Sequence, residues 1–234
     1  MLQAILYDLD GTLLPMDNEY FTKVYLSILA KAAMPWGYEP DALIRAMWVG
    51  VKAMVTNDGS VLNQKAFWNT FSKAIGKDAA KDEDKFNDFY TKGFMDAKAA
   101  TGEAPLARKV VDLSHQKAER VILATNPIFP TVADESRLSW IGLKMENFDL
   151  VTDYCNCSYC KPNPAYYRSI LDQFHLDPTQ CLMVGNNVSE DWQAASAVGL
   201  PCYLLTDHII NPENLPITCP HGSYEDLLSY LEQL

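Results

Sequence analysis

Asp8 and Asp10 stand two residues apart in the segment Asp8-Leu9-Asp10-Gly11-Thr12-Leu13, directly after the apolar run Ala4 to Tyr7. A short apolar run of this kind predicts a buried first strand. Both carboxylates then leave the sheet at one end, and Gly11 lets the backbone turn sharply after them. Two neighbouring acids can divide labour, one ionised as nucleophile or metal ligand and the other donating a proton. Taken alone, the same string also describes a strand end with a solvated acidic turn.

Three later segments carry further polar groups to strand ends. Val121-Ile122-Leu123-Ala124 reads as a buried strand ending in Thr125-Asn126, and Cys160-Lys161-Pro162-Asn163-Pro164 sets a lysine just before a proline-started helix. Cys181-Leu182-Met183-Val184-Gly185 is another buried strand, followed by Asn186-Asn187-Val188-Ser189-Glu190-Asp191. In this order the four segments resemble the haloacid dehalogenase-like hydrolase superfamily, in particular its phosphatase branch. The resemblance covers most of the chain outside residues 16–100. Its most specific part is D-x-D-G-T-L, followed by the Lys161-Pro162 element, while Thr125-Asn126 alone would say little.

The resemblance implies a mechanism. Asp8 would attack phosphorus and form an aspartyl-phosphate. A carboxylate suits this because it is ionised at neutral pH and its acyl-phosphate hydrolyses readily. Asp10 would protonate the departing oxygen and then deprotonate the attacking water. The dehalogenating relatives lack an acid at that position, so Asp10 favours phosphate chemistry. Gly11, Thr125, Asn126 and Lys161 would hold the phosphoryl group. Mg2+ would complete the site, bound by the Asp8 carboxylate, the Asp10 carbonyl and the fourth segment. There the chain departs from the family, which usually has Gly-Asp where this sequence has Gly185-Asn186. An amide oxygen still binds a hard cation, though without formal charge. Asn186 is therefore the expected ligand, with Asp191 as ligand or support. Glu190 is a further candidate, or simply an acid favoured at a helix start.

The intervening sequence supplies the elements that must position these groups. From Asp17 to Ala100 the spacing is helical: Phe21, Val24, Tyr25, Ile28, Leu29 and Ala32 lie on one face, and a second helix starts at Pro40-Asp41. Asn63 is expected to cap a third helix that stops at Gly76, and Phe86 to Ala97 to form a fourth. Beyond Gly102, helices are predicted over 105–119, 130–140, 164–174, 189–198 and 223–232. Strands are predicted over 121–125, 148–152, 181–185 and 202–206. Such alternation predicts an α/β fold: a Rossmann-like, doubly wound parallel sheet, with helices on both faces. The core would comprise residues 1–15 and 101–234, with 16–100 inserted as an all-α cap that the resemblance places over the strand ends. Its aromatic and methionine side chains chiefly report burial.

The 234 residues, 48% of them hydrophobic and 21% charged, are ample for such a core. A net charge of −11 argues against broad binding to nucleic acid or an anionic membrane. With neither an apolar run long enough to span a bilayer nor a secretory signal, a cytoplasmic enzyme is expected. Six cysteines are then expected to be reduced. The cluster Cys155, Cys157 and Cys160 lacks the second Cys/His pair of a structural zinc site. The expected function is a magnesium-dependent phosphatase acting on a small phosphorylated metabolite. The alternatives are a phosphomutase of the same branch, and a ligand-binding member whose catalysis is impaired.

Overall fold

The computed structural model describes residues 1–234. Six parallel strands form one sheet: β1 (Leu2–Tyr7), β2 (Ala118–Leu123), β3 (Leu150–Val151), β4 (Cys181–Gly185), β5 (Cys202–Leu205) and β6 (His221–Gly222), in the order β3-β2-β1-β4-β5-β6. β1 lies between β2 and β4, with Ile5 opposite both Val121 and Leu182. The strand order therefore reverses at β1, and a crevice opens at the carboxyl ends of these strands, where open α/β sheets place their ligands. Alternation along β1 sorts its side chains between two apolar cores. Ile5 and Tyr7 join the larger one and Ala4 and Leu6 the smaller, on the opposite face.

The helical segment that follows β1 holds four helices: α1 (Asn18–Ala33), α2 (Pro40–Val55), α3 (Asn63–Ile75) and α4 (Glu83–Thr91). Along the remainder of the chain run α5 (Ala107–Lys117), α6 (Thr131–Trp140), α7 (Pro164–Phe174), α8 (Ala194–Ser196) and α9 (Tyr224–Gln233). The larger core runs without a break from the sheet into the helical segment. Phe129, in the loop after β2, packs its ring 5.6 Å from Tyr25 and 6.2 Å from Tyr90. The helices are thereby seated over the strand ends.

Local departures from expectation have local causes. The fourth helix stops at Thr91, and Gly93–Ala100 continues as a 3-10 helix; glycine is a poor helix former. Asn63 does not cap α3, a place taken by Leu62. Its buried side chain instead donates to the carbonyls of Pro127 and Tyr159 and to Cys160 Sγ. Buried tertiary hydrogen bonds thus override the capping preference and tie α3 to the loops after β2 and β3. The expected helix 189–198 begins as a π-helical turn, Val188–Gln193, before the short α8; such turns are rare and often lie at functional sites. β6 carries no period-2 apolar pattern and was not legible in the sequence. All six cysteines are free.

Candidate active site

Ladder bonds fix the first carboxylate. Asp8 N–H donates to the Val184 carbonyl at 2.9 Å, and Ala124 N–H donates to Tyr7 O at 2.7 Å, locking the ends of β1, β2 and β4 together. Asp8, Thr125 and Asn186 therefore emerge side by side although distant in sequence. With Asp10, Asn126, Glu190 and Asp191 they line a cavity of about 170 Å³.

Lys161 is buried behind Asp8. Its Nζ donates to Asp8 Oδ1 at 2.8 Å and to Asp191 Oδ1 at 2.6 Å. Burial alone would pull this ammonium down, but Asp191 and Asp8 outweigh it and hold it well above the ordinary lysine value. Asp8 itself is pushed up to about 7, mainly by burial; Lys161 opposes the rise and Asp191 and Asp10 add to it. Glu190 is likewise raised to about 7 by burial, against the pull of Lys161.

Asp191 owes its position to the π-helical turn. Its Oδ2 accepts from the backbone N–H groups of Asn186 and Asn187 at 3.0 and 2.9 Å. With Oδ1 engaged by Lys161, both oxygens already have partners, which suits a supporting role more than direct ligation. Asn186 is equally constrained. Its Nδ2 donates to the His208 carbonyl at 2.6 Å, and its Oδ1 accepts from the Thr12 hydroxyl at 3.1 Å.

The groups expected to hold phosphate differ in what they offer. Thr125 lies on the cavity wall. The N–H groups of Leu9, Asp10 and Asn126 donate to no acceptor in the chain, so they form a set of free donors beside Asp8. The Asn126 side chain is engaged elsewhere: Nδ2 donates to Glu190 Oε2 at 3.0 Å and Oδ1 accepts from Lys161 N–H at 3.2 Å. It joins the lysine loop to the turn after β4. Gly11 is placed differently from the others. It is absent from this cavity's wall, and its N–H donates to Leu14 O at 2.8 Å. Its φ is +86°, and a Cβ there would collide with the Asn186 amide. Glycine at this position makes room for Asn186.

Sequence reasoning missed Arg137. This fully buried side chain on α6 forms ion pairs with Asp10 Oδ2 and Asp134 Oδ1, with its guanidinium 4.3 Å from the centre of the Phe129 ring. The signal was an Asp134/Arg137 pair, three residues apart on the apolar face of a predicted helix. Thr12, which orients Asn186, lay unremarked within D-x-D-G-T-L.

The oxygens present fit a hard cation. Asp10 Oδ1 is buried without a hydrogen-bond partner, and the Asp10 carbonyl accepts from no donor in the chain. Four carboxylates line the cavity, yet no lysine, arginine or histidine does. No three His, Cys, Asp or Glu side chains come together as a complete metal cage. Mg2+ typically needs none, since it keeps waters and takes one or two carboxylates plus phosphate oxygens.

With this geometry in place, comparison with known proteins defines the class. The family model for haloacid dehalogenase-like hydrolases matches residues 2–199. The chain belongs to that family and is a hydrolase. It is 25% identical over 231 residues to the phosphoglycolate phosphatase of Photorhabdus laumondii subsp. laumondii, covering 97% of this chain and 92% of that one. Among solved structures it resembles a phosphatase of the family from Thermococcus onnurineus, with TM-score 0.61 and 17% identity over 98% of each chain. It also resembles the hydrolase YfnB of Bacillus subtilis, solved with magnesium bound, with TM-score 0.61 and 15% identity over 99% of each. These structural likenesses concern the fold. No helix is long and apolar enough to cross a membrane.

Proposed function

We propose that the protein is a magnesium-dependent phosphatase that hydrolyses a small phosphorylated metabolite through an aspartyl-phosphate at Asp8. The observation that carries this reading is the pairing of Asp8, held by Lys161, with a second carboxylate, Asp10, at the same strand end. Residues 16–100 act as the helical cap and the remainder as the catalytic core. The phosphatase activities named for the Photorhabdus and Thermococcus proteins support the reading.

Asp8 attacks phosphorus while Lys161 fixes the direction of its carboxylate. The free N–H groups of Leu9, Asp10 and Asn126, with the Thr125 hydroxyl, receive the phosphoryl oxygens. Asp10 gives a proton to the departing oxygen and takes one back from the water that hydrolyses the acyl-phosphate. Asp8, the Asp10 carbonyl and Asn186 would hold Mg2+, with Asp191 orienting the segment that carries Asn186. The ion supplies charge neutralisation for the phosphate oxygens. Phosphomutase activity remains the second reading, since a sugar hydroxyl can replace water at the same atoms, and a phosphoglucomutase-like chain shares the fold.

The test is phosphate release from a panel of phosphorylated metabolites with and without magnesium, using wild type and Asp8→Asn. Magnesium-dependent release lost in the variant supports hydrolysis. Isomerisation of a sugar phosphate without release would replace it with the mutase reading.

A further inference from the structure

A second cavity adjoins the catalytic one, and the two share Thr22, Ile128 and Phe129 on their walls. It encloses about 100 Å³ and is lined chiefly by rings, among them Tyr25, Phe67, Trp68, Phe86, Tyr90 and Tyr154. No side chain around it carries a formal charge. The charged groups on the catalytic wall are all carboxylates. Lys161 and Arg137 are buried, and each already bridges two carboxylates. An organic group that enters from the phosphoryl site therefore meets aromatic surface. An anionic one meets negative charge with no free cation to answer it, an unfavourable burial.

We infer that the substrate is a phosphomonoester whose organic part is compact, uncharged and apolar. This deepens the phosphatase reading and rests on it. The cavity is smaller than the roughly 150 Å³ space known to take up benzene. It suits a branched alkyl chain or a single ring of about four to six carbons, with part of the group against Thr22, Ile128 and Phe129, which wall both cavities. In turnover the bond between phosphorus and the organic oxygen breaks. The organic part leaves as a neutral alcohol carrying the proton from Asp10. Water then supplies the oxygen that completes inorganic phosphate and returns a proton to Asp10. Burying apolar surface favours such a substrate, and loss of charge on the organic part avoids the carboxylate wall.

The experiment measures kcat/KM with magnesium for 3-methylbutyl phosphate, phenyl phosphate, phosphoglycolate and acetyl phosphate. It uses wild type and two cavity-filling variants, Val51→Phe and Leu26→Phe, with 3-methylbutanol as a competitor of acetyl phosphate hydrolysis. The expected result is a preference of about tenfold or more for the alkyl and aryl esters over phosphoglycolate. Either variant should raise KM for these esters about fivefold or more while changing acetyl phosphate turnover by less than about twofold. 3-Methylbutanol should inhibit wild type competitively, a result that holds even if one variant fails to fold. Acetyl phosphate turnover that Asp8→Asn abolishes, with no preference for the apolar esters or with a preference for phosphoglycolate, overturns the substrate class and leaves the phosphatase reading standing. Absence of phosphate release from all four overturns both.

Discussion

Arg137 reaches Asp10 across 127 positions of sequence and holds one of its carboxylate oxygens from a fully buried position, while Asp134 anchors the same guanidinium. The acid two residues after the nucleophile is therefore directed by a side chain of α6 and not only by the turn that carries it. Arg137→Lys keeps the charge but loses the fork that joins two carboxylates. Its kcat should fall about tenfold or more for alkyl phosphates, which need a proton on the departing oxygen, and much less for aryl phosphates with good leaving groups. Asp10→Asn should show the same pattern more strongly. A uniform loss across leaving groups in folded Arg137→Lys would indicate a merely structural role.

Asp8 makes a pH-dependent contribution to stability whose sign follows from its burial. Its folded-state value of about 7 lies above the ordinary carboxylate value. The folded chain therefore holds this proton more firmly than the unfolded chain. The associated stability is present at acidic pH and lost as pH rises toward 7. In the metal-free protein, Asp8→Asn should thus raise the thermal midpoint at pH 8 relative to wild type by about 2–4 °C and have little effect at pH 5. Thermal melts in the presence of a chelator measure this. A midpoint difference that is the same at both pH values would show that Asp8 is not strained by burial.

Asn186 has less freedom than its sequence position implied. A carboxylate there would add charge toward a cation, but it would lose the donor to the His208 carbonyl and set two oxygens against each other. Asn186→Asp should lower the metal-free midpoint by about 2–6 °C, with magnesium restoring most of the loss. The half-saturating magnesium concentration should then change by less than about threefold, because the two effects oppose. An unchanged metal-free midpoint with a tenfold gain in magnesium affinity would show that the His208 contact does not restrain this side chain.

Asp191→Asn removes the anion that shares Lys161 with Asp8, and it replaces an acceptor of two backbone N–H groups. Both the thermal midpoint and kcat should fall, with kcat reduced about tenfold or more. Titration of activity against magnesium should show a weaker half-saturation as the Asn186 segment loses its anchor. A silent variant would separate this turn from the site.

Much of this architecture was legible because its signals are periodic or local. The apolar runs of β1, β2 and β4 alternate or bury completely, and the polar residues that end them must converge wherever the strands pair in parallel. The helical segment announced itself by three- and four-residue spacing. What escaped detection depends on contacts made only after folding. Arg137 looks like a helix-surface cation until α6 turns it inward, and Asn63 looks like a cap until buried partners across the fold claim its amide. Asp191 was legible as an acid near a strand end. The π-helical turn that engages both its oxygens, with Lys161 and with the Asn186 and Asn187 N–H groups, was not. β6 pairs over two residues, Leu204 with His221 and Leu205 with Gly222, too short a run for any pattern.

The proposed function rests on the passage of phosphorus through Asp8. Rapid acid quenching during turnover of an aryl phosphate with magnesium, followed by reduction of any acyl-phosphate and peptide mapping, tests it directly. The expected result is a phosphorylated population formed within the first turnover, mapped to Asp8 and absent from Asp8→Asn. Sustained phosphate release with no covalent phosphorus at Asp8, or undiminished release by folded Asp8→Asn, would contradict it.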